Sequence, residues 1–104
     1  MNLPPESFVL VQEDRLLAFA IACFEKAGLS ADHASIISRL LVNSDLRGVR
    51  SHGTRTVNGY CKAFEGGSCN PRPGIQVLHE TPTAVVIDGD GTLGYFPMAR
   101  ATEH

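Results

Sequence analysis

The stretch Asp45-Leu46-Arg47-Gly48-Val49-Arg50-Ser51-His52-Gly53-Thr54-Arg55 breaks the chain between two helical patterns. It packs a serine hydroxyl, an imidazole, two glycines and three arginines into one short polar segment. From Leu46 to Phe64 there is no acidic residue, whereas Arg47, Arg50, Arg55 and Lys62 all fall there. A basic, glycine-loosened break with one titratable imidazole suits a small anion that exchanges a proton. Histidine is the side chain whose unperturbed pKa lies near neutrality, so it can give or take that proton. The competing reading is a polar interhelical turn with solvated arginines.

Upstream of the break, Leu16, Ala20, Cys23, Phe24 and Ala27 recur at helical spacing, with Leu17 and Ile21 widening the stripe. That pattern predicts a first helix over 12–27. Gly28 stands where a left-handed residue ends a helix. Ser30 is a good N-cap for a second helix over 31–44, with Asp32 facing its positive end and Ile36, Ile37, Leu40 and Leu41 as its buried stripe. Before the first helix, residues 2–8 with Pro4-Pro5 read as an extended lead-in, and Val9-Leu10-Val11 as a short strand or an apolar helix entry. Downstream, a third helix starts near Gly53 or Thr54, buries Val57, Tyr60, Cys61 and Phe64, and stops at Gly66-Gly67.

The period then changes. After an extended connector with Pro71 and Pro73, Ile75 and Val77 alternate with Gln76 as on a half-buried strand, and Thr83 to Ile87 form a second, more apolar one. Asp88-Gly89-Asp90-Gly91 is a turn cluster, and a last helix begins near Tyr95 to Pro97, where proline is tolerated in a first turn. The fold class is α+β: three helices, then two strands and a helix that start a larger mixed sheet. Two strands alone are marginal and expose their edges. The chain therefore reads as a single N-terminal segment (helical 12–66, linker 67–74, strand-strand-helix 75–104) of a larger protein, or as one that folds against a partner completing its sheet.

At 104 residues the chain is one domain at most, and 43% hydrophobic with 19% charged residues is ordinary for a soluble globular protein. A net charge of −2 argues against a nucleic-acid partner. Cys23, Cys61 and Cys69 form no C-x-x-C pair, so neither a zinc knuckle nor a thioredoxin-type motif is present. Cys23 and Cys61 read as small buried hydrophobes in a reducing, cytoplasmic setting. Met1 to Glu6 shows no signal peptide, and the apolar run Leu16 to Phe24 is far short of the roughly 20 residues of a membrane span.

Gly89-Asp90-Gly91-Thr92-Leu93-Gly94 fits G-x-G-x-x-G between a strand and a helix, the context of a dinucleotide fingerprint. It comes late, after three helices, and Asp90 would bring a carboxylate to the phosphates, so a glycine-rich turn is the preferred role. Asp88 as the first position of a calcium loop puts Leu93 where glycine is needed and Ala99 where glutamate is needed, which excludes it. His33 reads as a surface residue, the face of His79 is open, and His104 is terminal. No ligand spacing links the histidines, so no metal is expected. Ser51 beside His52 lacks an orienting acid and an elbow, which disfavours a serine hydrolase.

The stretch from Asp45 to Gly53, followed by Tyr60, Gly67-Ser68-Cys69-Asn70-Pro71-Arg72-Pro73 and Val85 to Gly94, resembles the start of the malate/L-lactate dehydrogenase family. The resemblance implies an NAD- or NADP-dependent oxidoreductase acting on a small 2-hydroxy or 2-oxo acid, built on a fold that is not a Rossmann fold and usually homodimeric. It implies that Ser51 and His52 lie at the substrate, with His52 the catalytic candidate and Tyr60 helping to orient the acid. The family's arginine four residues after the histidine is Thr56 here, with Arg55 one place earlier as the candidate carboxylate grip. One residue is about 100° of helix rotation, so Arg55 is not an automatic replacement. The family's principal acid/base histidine and most cofactor contacts lie downstream of the matched segment, so no residue here is assigned to the cofactor, and the chain alone is expected to be inactive. The alternative is a truncated, non-catalytic fragment that survives as a helical interaction module.

Overall fold

The first three helices all stop at glycines with left-handed backbone: Gly28 at φ 111°, Gly48 at 79° and Gly67 at 84°. A side chain there would strain the backbone. In the computed structural model, which describes residues 5–103, the first helix, α1, spans Glu13–Lys26. Leu29 N–H returns to the Phe24 carbonyl and Gly28 N–H to that of Glu25, both at 3.1 Å. The second helix, α2, spans Ala31–Leu46 and closes in the same way, Val49 N–H to Ser44 O at 2.9 Å and Gly48 N–H to Asp45 O at 3.0 Å. These paired bonds satisfy carbonyls that a helix end leaves open.

At the start of α2 the Ser30 hydroxyl accepts from His33 N–H at 3.2 Å, the expected cap. The helix runs two residues past Ser44, because Asp45 and Leu46 keep helical geometry and Gly48 is the true stop. Its buried face also differs from the expected stripe. Ala34, Ile37, Ser38, Leu41 and Val42 are buried, whereas Leu40 is 42% exposed. Leu40 lies a third of a turn from Leu41, which rotates it out of the core.

The chain between α2 and the third helix is not one helical start but two single-turn 3-10 helices, Arg50–His52 and Thr54–Thr56. The second leads directly into α3, Val57–Glu65, whose Val57 and Phe64 are buried. Tyr60 and Cys61, expected in the same seam, are half-buried. After the connector, β1 (Gln76–Thr81) and β2 (Ala84–Asp88) form an antiparallel hairpin around Pro82-Thr83, with a bulge between Val77 and His79. The last helix, α4, spans Tyr95–Glu103 with Pro97 in its first turn. Val9 to Val11 form neither strand nor helix; Phe8 to Val11 are 59–87% exposed. The beginning of the expected lead-in, before Pro5, and His104 lie outside the described residues.

Aromatic rings tie the four helices together. Phe24 of α1 meets Phe64 of α3 edge-on, with centroids 6.4 Å apart and planes at 84°. Phe64 in turn packs on Phe96 of α4 at 6.5 Å. His33 of α2 stacks flat on the other side of Phe96, 4.3 Å apart and 10° from parallel. His33 is therefore not the free surface residue its position suggests: α4 returns over the first turn of α2 and partly buries it.

That burial holds the His33 pKa below its ordinary value; Asp32 opposes the shift and Arg72 adds to it. A histidine with a lowered folded-state pKa binds fewer protons folded than unfolded, so stability is intact above about pH 6.5, its unfolded pKa. It falls as the pH drops through that value toward the folded-state pKa. The melting temperature of the chain is expected to fall from pH 7 to pH 5 more steeply than that of His33→Phe, which keeps the stack and cannot titrate. Parallel melting curves for the two proteins would contradict this.

Candidate functional site

Asp45, in the last turn of α2, reaches across the break. Both its carboxylate oxygens accept from Thr54 N–H at 3.2 Å, and one also accepts from the Thr54 hydroxyl. The carboxylate thereby caps the 3-10 turn that leads into α3, where a negative charge meets open N–H groups. Thr56 adds a second tie, its hydroxyl donating to the Gly53 carbonyl at 2.7 Å. The turn Arg50–His52 is thus held between the end of α2 and the start of α3.

Gly53 is required by that bracket. A Cβ at position 53 would lie 1.7 Å from Asp45 Oδ1 and 2.7 Å from Asp45 Cγ. Asp45→Ala and Gly53→Ala are each expected to lower stability by about 1–2 kcal/mol, through loss of the same cap. In urea unfolding the double variant should lose little more than either single one, because both remove one contact. Full additivity of the two losses would refute the shared cap.

Within the bracket, the Ser51 hydroxyl and His52 Nδ1 share a hydrogen bond of 2.8 Å, and the His52 side chain is exposed. A hydroxyl donates to a neutral imidazole and accepts from a protonated one, so Ser51 holds the ring in either state. The bond engages Nδ1 of the ring. The imidazole is thus oriented from one side and is not sealed in the core.

The other residues singled out from the sequence stand elsewhere. Exposed Arg55 lines a cavity of about 470 Å³ together with Phe19, Cys23 and Cys61. Burial, with Cys23 and Glu65 adding to it, pushes the Cys61 thiol up to about 11, so it stays neutral and unreactive near pH 7. Tyr60 lines another cavity, of about 770 Å³, where its hydroxyl meets that of Tyr95 at 3.3 Å and the rings cross at 76°. Burial and the bond to Tyr60 raise the Tyr95 pKa to about 12. Ser51 and His52 are thus together, while Arg55 and Tyr60 line two different cavities. Asp45 and Tyr95 are the residues that sequence reasoning passed over. Neither the tie of Asp45 to Thr54, nine positions apart, nor the pairing of two tyrosines 35 positions apart is announced by a local sequence signal.

The glycine turn after β2 is closed on itself. Asp90 adopts a left-handed φ of 53°. Its carboxylate accepts from Asn70 Nδ2 at 3.1 Å and Gly74 N–H at 2.8 Å, while Asp88 accepts from Asp90 N–H at 2.9 Å. Asn70 N–H binds the Gly91 carbonyl at 2.9 Å. The turn latches the connector to the hairpin. With two carboxylates in it, and an antiparallel pair of strands in place of parallel ones, it does not fit a pyrophosphate.

Residues 11–104 match the sequence profile of the malate/L-lactate dehydrogenase family. The chain belongs to that family. It is 38% identical over 89 residues to the malate dehydrogenase of Pyrococcus horikoshii, covering 86% of this chain and 25% of that protein. It is 36% identical over 103 residues to the L-sulfolactate dehydrogenase of Methanocaldococcus jannaschii, covering 99% of this chain and 28% of that one. A ureidoglycolate dehydrogenase (NAD(+)) of Escherichia coli is 29% identical over 76% of the chain and is matched over 23% of its own length. The solved structure of the Pyrococcus horikoshii malate dehydrogenase superposes with a TM-score of 0.89 and 35% identity, covering 95% of this chain and 28% of that one. The chain therefore spans about a quarter of the length of these family members. Its helices and hairpin reproduce the architecture of that quarter.

Proposed function

We propose that this segment supplies the acid-handling part of an NAD(P)-dependent dehydrogenase that interconverts a small 2-hydroxy acid, such as malate or L-lactate, and its 2-oxo acid. The observation that carries the reading is the exposed Ser51–His52 pair on a turn fixed by Asp45. Membership of a family whose named relatives are dehydrogenases supports it. Reduction of a 2-oxo acid requires a hydride at the 2-carbon and a proton at its oxygen. His52 hydrogen-bonds that oxygen and orients the acid, Ser51 steadies the ring, and Arg55 and Tyr60 are the further candidates for contact with the acid, while the family's principal acid/base histidine lies downstream of the matched segment.

The hydride belongs to the nicotinamide. The chain's similarity to a ureidoglycolate dehydrogenase (NAD(+)) of Escherichia coli supports NAD(+) as the source. The latched glycine turn offers no cradle for a dinucleotide, so no cofactor contact is assigned to this chain. The proposal also takes residues 12–66, the connector 67–74 and residues 75–104 as one N-terminal unit of a larger, homodimeric enzyme in the cytoplasm. Three free cysteines suit that reducing compartment. No helix among the described residues is long and apolar enough to cross a membrane.

The test is a chimera in which residues 11–104 replace the matching quarter of the Pyrococcus horikoshii malate dehydrogenase. NADH or NADPH oxidation is followed with oxaloacetate and with pyruvate. The chimera is expected to turn over at least one of these acids, and the 104-residue chain alone to turn over neither. A folded chimera inert toward both acids would end the proposal.

A further inference from the structure

The two 3-10 turns between α2 and α3 meet at Gly53, whose backbone is extended at φ −105° and ψ −153°. The dihedrals of that one residue set the angle between the turns. His52 ends the first turn and Arg55 lies in the second, so the angle at Gly53 decides where the imidazole stands relative to α3.

Bonds inside each turn do not fix this angle. In the first, His52 N–H donates to Val49 O and Gly53 N–H to Arg50 O, both at 3.2 Å, and Val49 N–H ties the turn back to Ser44 O of α2. In the second, the N–H and the hydroxyl of Thr56 both donate to the Gly53 carbonyl, at 3.1 Å and 2.7 Å. The Asp45 carboxylate is different. It belongs to α2 and takes the N–H and the hydroxyl of Thr54, the residue just past the joint. It thus fastens the second turn to the helix that already carries the first. A charged acceptor makes such bonds stronger than neutral ones.

We propose that Asp45 is a positioning residue for the acid: by setting the angle between the two turns it places the His52 ring. The proposal rests on the reading of His52 as a contact of the 2-oxo acid. The Asp45 carboxylate is occupied by Thr54, so it acts through His52 and does not itself touch the acid. Asp45→Asn keeps the size of the side chain but turns one acceptor oxygen into a donor amide facing the donors of Thr54, which breaks part of the tie.

Two experiments test this, one of them without catalysis. In the chain itself, Asp45→Asn is expected to speed hydrogen exchange of the Thr54 amide about tenfold, as loss of a cap implies. It should also move the His52 ring resonances while those of Phe24 and Phe64 stay in place. In the chimera, Asp45→Asn should lower kcat/KM for the 2-oxo acid by about 10- to 10²-fold, the scale of a misplaced orienting group. On a His52→Gln background the same change should cost less than about twofold, because the two residues act as one unit. Partial unfolding would cost the same on both backgrounds, so the cycle separates position from stability. Thr54→Val, which removes the hydroxyl and keeps the N–H, should lose less than Asp45→Asn and show the same dependence on His52.

Unmoved His52 resonances in the chain, or equal losses on both backgrounds in the chimera, would overturn the proposal. A rate lost in His52→Gln but kept in Asp45→Asn would overturn it alone. A rate kept in His52→Gln would end the reading of His52, and this proposal with it.

Discussion

Phe24→Ala is expected to destabilise the chain by about 3–5 kcal/mol, enough to unfold much of it at ambient temperature. Phe24 is fully buried, its ring meets Phe64 edge-on, and its carbonyl accepts the bond that closes α1 over Gly28. Truncation removes the ring and leaves a void between α1 and α3 that backbone movement fills only in part. The loss also passes along the row, because Phe64 supports Phe96 and Phe96 supports His33. Phe24→Leu keeps most of the volume and should cost under about 1.5 kcal/mol. Urea unfolding followed by circular dichroism separates the two. Equal and small losses in both variants would show that the aromatic row does not hold the helices together.

Most of the fold was legible because its signals are local. Helical spacing, the Ser30 cap, the three glycine stops and the change of period at Ile75 each depend on neighbours within a few residues, and each marks a real boundary. Errors arose where distant segments decide. Leu40 belongs to an apolar run, but α2 is rotated by what packs on Ala34 and Leu41, so Leu40 faces out. His33 looked free because nothing in its own turn announces Phe96. Val9 to Val11 have strand-like composition, yet the hairpin pairs only with itself among the described residues.

The site divides along the same line. Ser51 and His52 are adjacent, and the 3-10 turn Arg50–His52 brings their side chains together. Arg55 lies in the second 3-10 turn and Tyr60 on α3, and the two face different neighbours. The glycine motif illustrates the opposite failure. Its spacing imitates a phosphate loop, but Asn70 and Gly74, distant in sequence, occupy the Asp90 carboxylate and make the turn a latch.

The second large effect falls on His52. Replacing it by glutamine keeps a hydrogen-bonding side chain of similar reach but removes the ring that Ser51 holds in place. Misplacing the reacting acid costs about 10² in rate, so the chimera carrying His52→Gln should lose at least about 10²-fold in kcat/KM. Because the side chain is exposed, its melting temperature should stay the same. Ser51→Ala, which frees the ring without removing it, should lose less. The decisive measurement is therefore the steady-state rate of nicotinamide-linked reduction of a 2-oxo acid by the chimera, with and without His52. A loss of about 10²-fold or more at unchanged stability is the predicted result. A His52→Gln chimera that turns over as fast as its parent would contradict the account at its centre.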